Sequence, residues 1–371
     1  MFLRDILLKV GGFQSCHYRE IILVAFIFTC FMLINTPQIK LQTNLNKELP
    51  SGIPVINKLT EVSTKFGISD SLIVLIKLNP NSDFSNRVID IRDPRIIRMV
   101  GEIDRSLEKE PEITHVYSFF PIYSKIGIPQ NLEQSIKLLN LVPELSQFYS
   151  RDYSTTAIYI YSDIGSNNAR NKALVKRVRE IVNNAEKPPG VDVMITGEPL
   201  MRVTLFKLLI HDAILTMSIA AAIILALLIL IQKSLKKGII VFIPLTLSII
   251  WLFGTMGLLN IPLSIGTVAV GAMILGLGVE YGIFMFKRYE EEKRKSRTPE
   301  EILRVIVPTV GLNITGSALT TITGFLALLL ATMPMIQQMG LTLALGIFYS
   351  YIAAVAVNPP IMLLFNRRGW V

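Results

Sequence analysis

Glu280 is the residue whose type and setting most invite chemistry. It sits in Gly276-Leu277-Gly278-Val279-Glu280-Tyr281-Gly282 and is the only acidic residue inside the five hydrophobic runs that follow residue 212. A carboxylate in the middle of a membrane helix costs ~2.5–3.5 kcal/mol by insertion scales. Membrane helices keep such a group to move a proton or an ion, or to touch a substrate; the structural alternative is a protonated acid hydrogen-bonded to a neighbouring helix. Tyr281 adds a hydroxyl that can donate or accept. Asn313, Ser317 and Thr320 share one face at helical spacing and can bond across helices or to a buried carboxyl, although many such hydroxyls bond their own backbone. Gly276, Gly278 and Gly282 are expected to let a second helix pack closely beside the carboxylate.

No other chemistry is visible. The sequence has no Walker loop, no nucleophile elbow and no paired-histidine metal motif. His17, His115 and His211 are scattered without metal-ligand spacing. Cys16 and Cys30 fall before and within the first hydrophobic run, where they cannot frame an exposed domain. The expectation is a protein that is not an enzyme and holds no metal or cofactor. The segments between the hydrophobic runs that follow residue 212 are too short to fold a nucleotide site, so uphill movement must draw on an ion gradient or a partner.

The elements that position Glu280 are membrane helices. The 371 residues are 51% hydrophobic, with mean hydropathy +0.50, which excludes an ordinary soluble globule. Between Glu20 and Lys40 there is no charge, and Ile21 to Ile34 is nearly all apolar; this is read as a retained first helix rather than a cleaved signal, because no small-x-small site follows. Five more spans are expected at about 213–231, 238–258, 263–286, 308–331 and 340–364, divided at Lys233–Lys237, at Asn260-Ile261-Pro262, at Lys287–Arg304 and at Met333-Pro334. Six spans put both termini on one side. Of 37 Lys and Arg, 22 lie between residues 40 and 210; the other 15 fall in the N-terminus, the 233–237 and 287–304 loops and Arg367-Arg368, all on one face. The positive-inside rule therefore places the termini in the cytoplasm and residues 40–210 outside, in a multi-pass protein of the cell membrane. The net charge of +9 is explained by loops facing anionic lipid and needs no nucleic-acid partner.

The expected organisation is thus residues 1–39 (N-terminus and first helix), 40–210 (an exposed domain) and 211–371 (helices two to six). Within 40–210, strands are expected at Ser71–Lys77, Ile113–Ser118, Thr155–Tyr161 and Val191–Thr196, with helices from Asp93-Pro94 to about Lys109 and from Asn167 to Val182. A helical stretch at about 129–149 separates two βαβ units, the ferredoxin-like pattern; another α+β sandwich has the same element order. An amphipathic helix carrying Val55, Leu59, Val62 and Phe66 is expected near the start.

The run 276–292 resembles the fourth-helix signature of the resistance–nodulation–division (RND) superfamily, and is most similar to its mycobacterial-membrane-protein-large branch with the hopanoid-type and archaeal members. Pro299–Arg304, Thr309-Val310-Gly311 and Ser317–Phe325 resemble the fifth helix and its lead-in, and Thr196–Pro199 resembles the approach to the second. The resemblance implies a membrane protein of one helix plus five with an exposed α+β porter domain. It implies a proton-relay role for Glu280 and Tyr281, and export of hydrophobic or amphiphilic molecules, including lipids. Two departures stand out: the signature usually has Asp where this chain has Glu280, and most relatives contain the unit twice. A single unit is expected to pair with itself as a homodimer through span four, with Gly278 and Gly282 at the seam and Glu280 near the partner's Tyr281; a trimer is the lesser alternative. Rival readings are a protein-export accessory subunit like the SecD/SecF pair, and a non-transporting regulator of the sterol-sensing type.

Overall fold

The computed structural model describes residues 2–42, 50, 54, 58 and 71–367, apart from 83, 163, 165, 166 and 296. In chain order the elements are α1 (Phe2–Cys16), α2 (Tyr18–Asn35), β1 (Ser71–Leu78), α3 (Pro94–Leu107), β2 (Ile113–Tyr117), α4 (Phe120–Ile126), α5 (Leu132–Leu141), β3 (Thr155–Ser162), α6 (Asn168–Asn184), β4 (Val191–Gly197), α7 (Glu198–Gln232), α8 (Leu235–Leu258), α9 (Val270–Lys293), α10 (Pro299–Leu326), α11 (Pro334–Ile352) and α12 (Asn358–Arg367). The chain divides into two compact units, residues 1–50 with 206–371, and residues 51–205. The amphipathic helix expected around Val55 to Phe66 lies outside the described residues.

The smaller unit is built on a four-stranded antiparallel sheet of order β2-β3-β1-β4. β1 pairs with β3 and β4 on its two sides. β1 and β3 bury every second residue, so Leu72, Val74 and Ile76 share one face with Ile158 and Ile160. That face packs with the apolar stripes of α3 (Ile96, Ile97, Val100, Ile103) and α6 (Leu174, Val178). Asp93 caps α3 by accepting from the Arg95 N–H at 2.9 Å, with Pro94 at the first helical position. Gly197 ends β4 at φ +116°, and a side chain there would run into the β1 backbone at Leu72. A buried carboxyl lies in this unit: Asp104 is held by the Ser118 hydroxyl at 2.8 Å, while burial pushes it up. Expressed alone, residues 40–210 are expected to fold as a soluble α+β domain. Circular dichroism of a chain without secondary structure, or of an all-helical one, would count against this.

The larger unit holds, wholly or for most of their length, the helices long and apolar enough to cross a membrane. Among the described residues there are six: Tyr18–Gln38, Glu198–Gln232, Leu235–Leu258, Val270–Lys293, Pro299–Leu330 and Pro334–Arg367. The chain is a multi-pass membrane protein. The helices lie where charge-free runs predict them, but their ends do not. α7 begins at Glu198 rather than 213, because Pro199 fits a first turn and nothing between it and Gln232 breaks a helix. Charge marks where hydrocarbon starts, not where the helix starts. α9 begins at Val270 rather than 263. Residues before it are used in backbone pairing: Leu263 donates to Lys40 O at 2.8 Å and accepts from Gln42 N at 2.9 Å. α10 begins at Pro299 rather than 308, started by a capping box between Thr298 and Glu301.

Two features of this unit have no counterpart in the hydropathy pattern. α1 is a separate helix before the first span; Leu7 and Gly11 pack on α10 at Val307 and Gly311. The sixth span is broken by a π-helical turn at Ala353–Val357 before Asn358-Pro359-Pro360. Prolines 359 and 360 carry no N–H, so the carbonyls of Val355 and Ala356 lose their usual donors four residues on. Gln14 of α1 supplies one: its buried amide donates to Val355 O at 2.9 Å and Ala356 O at 3.3 Å. Gln14→Leu is therefore expected to destabilise the helical unit by about 1–3 kcal/mol, the cost of an unsatisfied buried acceptor. Thermal unfolding in detergent measures this, and an unchanged midpoint refutes it.

Candidate functional site

α9 and α10 lie side by side and present a polar row. On α9, Glu280 and Gly276 are exposed, whereas Tyr281 is buried at 1% exposure. On α10, Asn313, Ser317 and Thr320 are exposed. Tyr281 interacts with the hydroxyls of Ser317 and Thr321 and feels the charge of Glu280. The structure therefore brings Glu280, Tyr281 and Ser317 to one seam. Thr320 and Thr321 also bond their own helix, to the Ser317 carbonyl at 2.9 Å each. Among the described residues the Glu280 carboxylate takes no hydrogen bond and no ion pair.

The glycines separate into two sets. A side chain at Gly278 would meet Ser350 Oγ of α11 at 2.7 Å, and one at Gly282 would meet Val241 O of α8 at 3.1 Å. Ser350 there donates to Ser248 of α8 at 3.1 Å, so Gly278 sits against a buried serine pair joining two helices. At Gly276 a side chain would meet none of the described residues within 4 Å, and the same holds at Gly316 and Gly324 of α10. Gly278 and Gly282 thus seat α9 inside its own bundle and are not on an outward seam beside Glu280. The reason is the helix period: residues two apart are separated by about 200° around the axis, whereas Gly276 and Glu280, four apart, nearly coincide. The expected contact between Glu280 and the partner's Tyr281 is likewise closed off, because Tyr281 is covered within its own chain.

Sequence reasoning passed over the end of α9. Glu292 is 1% exposed and holds Arg288 at 2.9 Å, Lys295 at 2.8 Å and Arg297 at 2.8 Å. Glu290 of the same turn pairs with Lys237 of α8. The signal was present in the i,i+4 spacing of Arg288 and Glu292. Three cations on one carboxylate fix the turn where α9 leaves its apolar stretch. No cluster of three or more candidate metal ligands occurs among the described residues.

Comparison with known proteins places the chain in a family. The MMPL family model matches residues 103–371. A protein of Methanocaldococcus jannaschii, named only as a membrane protein, is 34% identical over 373 residues, covering 99% of this chain and 96% of its own. MmpL12 of Mycobacterium tuberculosis, named a probable transport protein, is 26% identical over 236 residues, which is 62% of this chain and 20% of MmpL12. The M. tuberculosis protein named sulfolipid-1 exporter MmpL8 is 26% identical over 102 residues, 28% of this chain and 9% of MmpL8. The chain thus spans nearly all of the first relative and a fifth or less of the two mycobacterial ones.

Proposed function

Since the chain belongs to the MMPL family of the RND superfamily, we propose that it is a proton-coupled transporter of hydrophobic or amphiphilic molecules, with membrane lipids as the favoured class. A relative named as a lipid exporter supports the substrate class. The observation that carries the coupling is Glu280: a carboxylate midway along a membrane helix, exposed and, among the described residues, without a hydrogen-bond or ion-pair partner. Neutral, it tolerates hydrocarbon; charged, it calls for donors. The Asn313, Ser317 and Thr320 row of a facing copy supplies them. Proton binding and release at Glu280 would then alternately loosen and tighten contacts along α9 and α10, with the Tyr281 hydroxyl holding the seam through Ser317 and Thr321.

In this reading the chain works as an oligomer of single units, a two-fold dimer in the first instance. Residues 40–210 are the extracytoplasmic porter domain, and both termini lie in the cytoplasm. The basic residues of the 233–237 and 287–297 segments support this orientation. The direct test is lipid identification by mass spectrometry on the protein purified in mild detergent, followed by proton-gradient-driven flux of that lipid in proteoliposomes. Specific co-purified lipid with no proton-dependent movement would overturn transport and favour a regulator.

A further inference from the structure

A cavity of about 610 Å³ opens in the helical unit between α2, α8 and α11, with no lining residue from α9 or α10. Ile21, Val24 and Phe28 of α2 form one wall, and Trp251, Phe348 and Tyr349 form the floor and the other. Its aromatic floor has its polar atoms turned aside. Trp251 donates to Thr29 Oγ1 at 2.9 Å, and the Tyr349 hydroxyl bonds Thr255 Oγ1 at 2.7 Å. Phe28 and Tyr349 each pack edge-on to Trp251, with centroids 5.2 and 6.0 Å away. What remains facing the cavity is ring face and hydrocarbon, in a volume usual for small-molecule sites.

Depth and charge narrow the occupant. From Glu20 to Phe28 the cavity follows α2 for ~12 Å, close to half of a ~30 Å hydrocarbon core. It lies within the leaflet that holds the N-terminal end of α2. The rim residues Val24 and Phe348 are exposed at 64% and 45%, and the surrounding α2 surface is charge-free, so the medium at the mouth is lipid. At the head-group end, Glu20 lines the mouth. It is exposed and has no ion-pair partner among the described residues, while neighbouring Arg19 is turned onto the Tyr18 hydroxyl at 2.9 Å. An unpaired carboxylate there complements an ammonium.

We propose that this cavity is a binding site for a resident bilayer lipid, one hydrocarbon chain lying on Trp251 and Tyr349 and an amine-bearing head group at Glu20. The site is separate from the coupling face and stands whether or not the chain transports anything.

The full chain is reconstituted in vesicles containing phosphatidylethanolamine or phosphatidylglycerol with a photoreactive diazirine on the acyl chain. After irradiation, labelled peptides are mapped by mass spectrometry. Labelling by the amine probe at residues 21–28 and 348–357 is expected to exceed that of the exposed α7 positions Ile219, Ile223 and Leu227 by about tenfold, the ratio that ~1.4 kcal/mol of preference gives. Val24→Trp, which fills the rim, is expected to abolish that excess and leave α7 unchanged; Leu23→Trp, off the cavity on the same helix, is expected to alter neither. Glu20→Gln should erase the preference for the amine probe over the glycerol one. Even labelling across α7 and the cavity means annular lipid only and overturns the site. So do cross-links from the cavity to a second copy in place of lipid, or excess labelling that Val24→Trp leaves intact. A Glu20→Gln protein that still prefers the amine probe overturns the head-group assignment.

Discussion

Glu280→Gln is expected to abolish proton-driven transport while leaving folding and membrane insertion intact. The amide keeps the shape and removes the titratable proton. Because the carboxylate is exposed and takes no hydrogen bond or ion pair among the described residues, the substitution breaks no packing and strands no donor, so loss of activity would report chemistry rather than collapse. Tyr281→Phe should act more mildly. It deletes one hydroxyl that interacts with Ser317 and Thr321, a contribution of about 0.5–1.5 kcal/mol, or roughly two- to tenfold in rate. It leaves a buried ring filling the same space. Flux in proteoliposomes under an imposed pH gradient measures both. A fully active Glu280→Gln protein would remove Glu280 from the coupling step. Equal loss in the two variants would instead point to the seam between α9 and α10 as the sensitive feature.

The parts of the molecule that could be read from the sequence are those written in a single period or a single charge gap. Charge-free runs located the membrane helices, and β-branched or alternating runs located β1 to β4; in β1 and β3 the burial of one face leaves that local signature. What stayed hidden depends on residues far apart in the chain. Nothing near Gln14 announces that its amide serves the carbonyls of Val355 and Ala356, more than three hundred residues on, where Pro359 and Pro360 have removed the usual donors. The start of α10 was locally written in Thr298-Pro299-Glu300-Glu301, but a criterion based on charge reads those acids as loop. At the site, adjacency in sequence misleads. Gly278 and Gly282 flank Glu280 in the chain yet point to the far side of α9, which a count of degrees per residue reveals without coordinates.

Substitutions at the two glycine sets of α9 and α10 are expected to fail in opposite ways. Gly276 and Gly316 stand on the exposed polar face with Glu280, Asn313, Ser317 and Thr320, and a side chain at either would meet none of the described residues within 4 Å. A lone copy would turn that face, carboxylate included, to hydrocarbon. In the proposed dimer, a second copy related by a two-fold axis would cover it, with small residues allowing the helices to close and each Glu280 reaching the polar row opposite. Leucine at both Gly276 and Gly316 is therefore expected to yield a folded, thermally normal protein that has lost self-association and transport together. Gly278→Leu should do the reverse. Its side chain would enter the space of Ser350 Oγ, 2.7 Å from where a Cβ would stand, and overpacking of this kind costs about 1–3 kcal/mol or more, so thermal stability and yield fall while the outward face is untouched. Mass photometry in mild detergent, read beside thermal unfolding, distinguishes the two. A wild-type chain that is strictly monomeric and active would sink the two-copy reading. A Gly276→Leu, Gly316→Leu protein that still dimerises would move the interface elsewhere on the bundle.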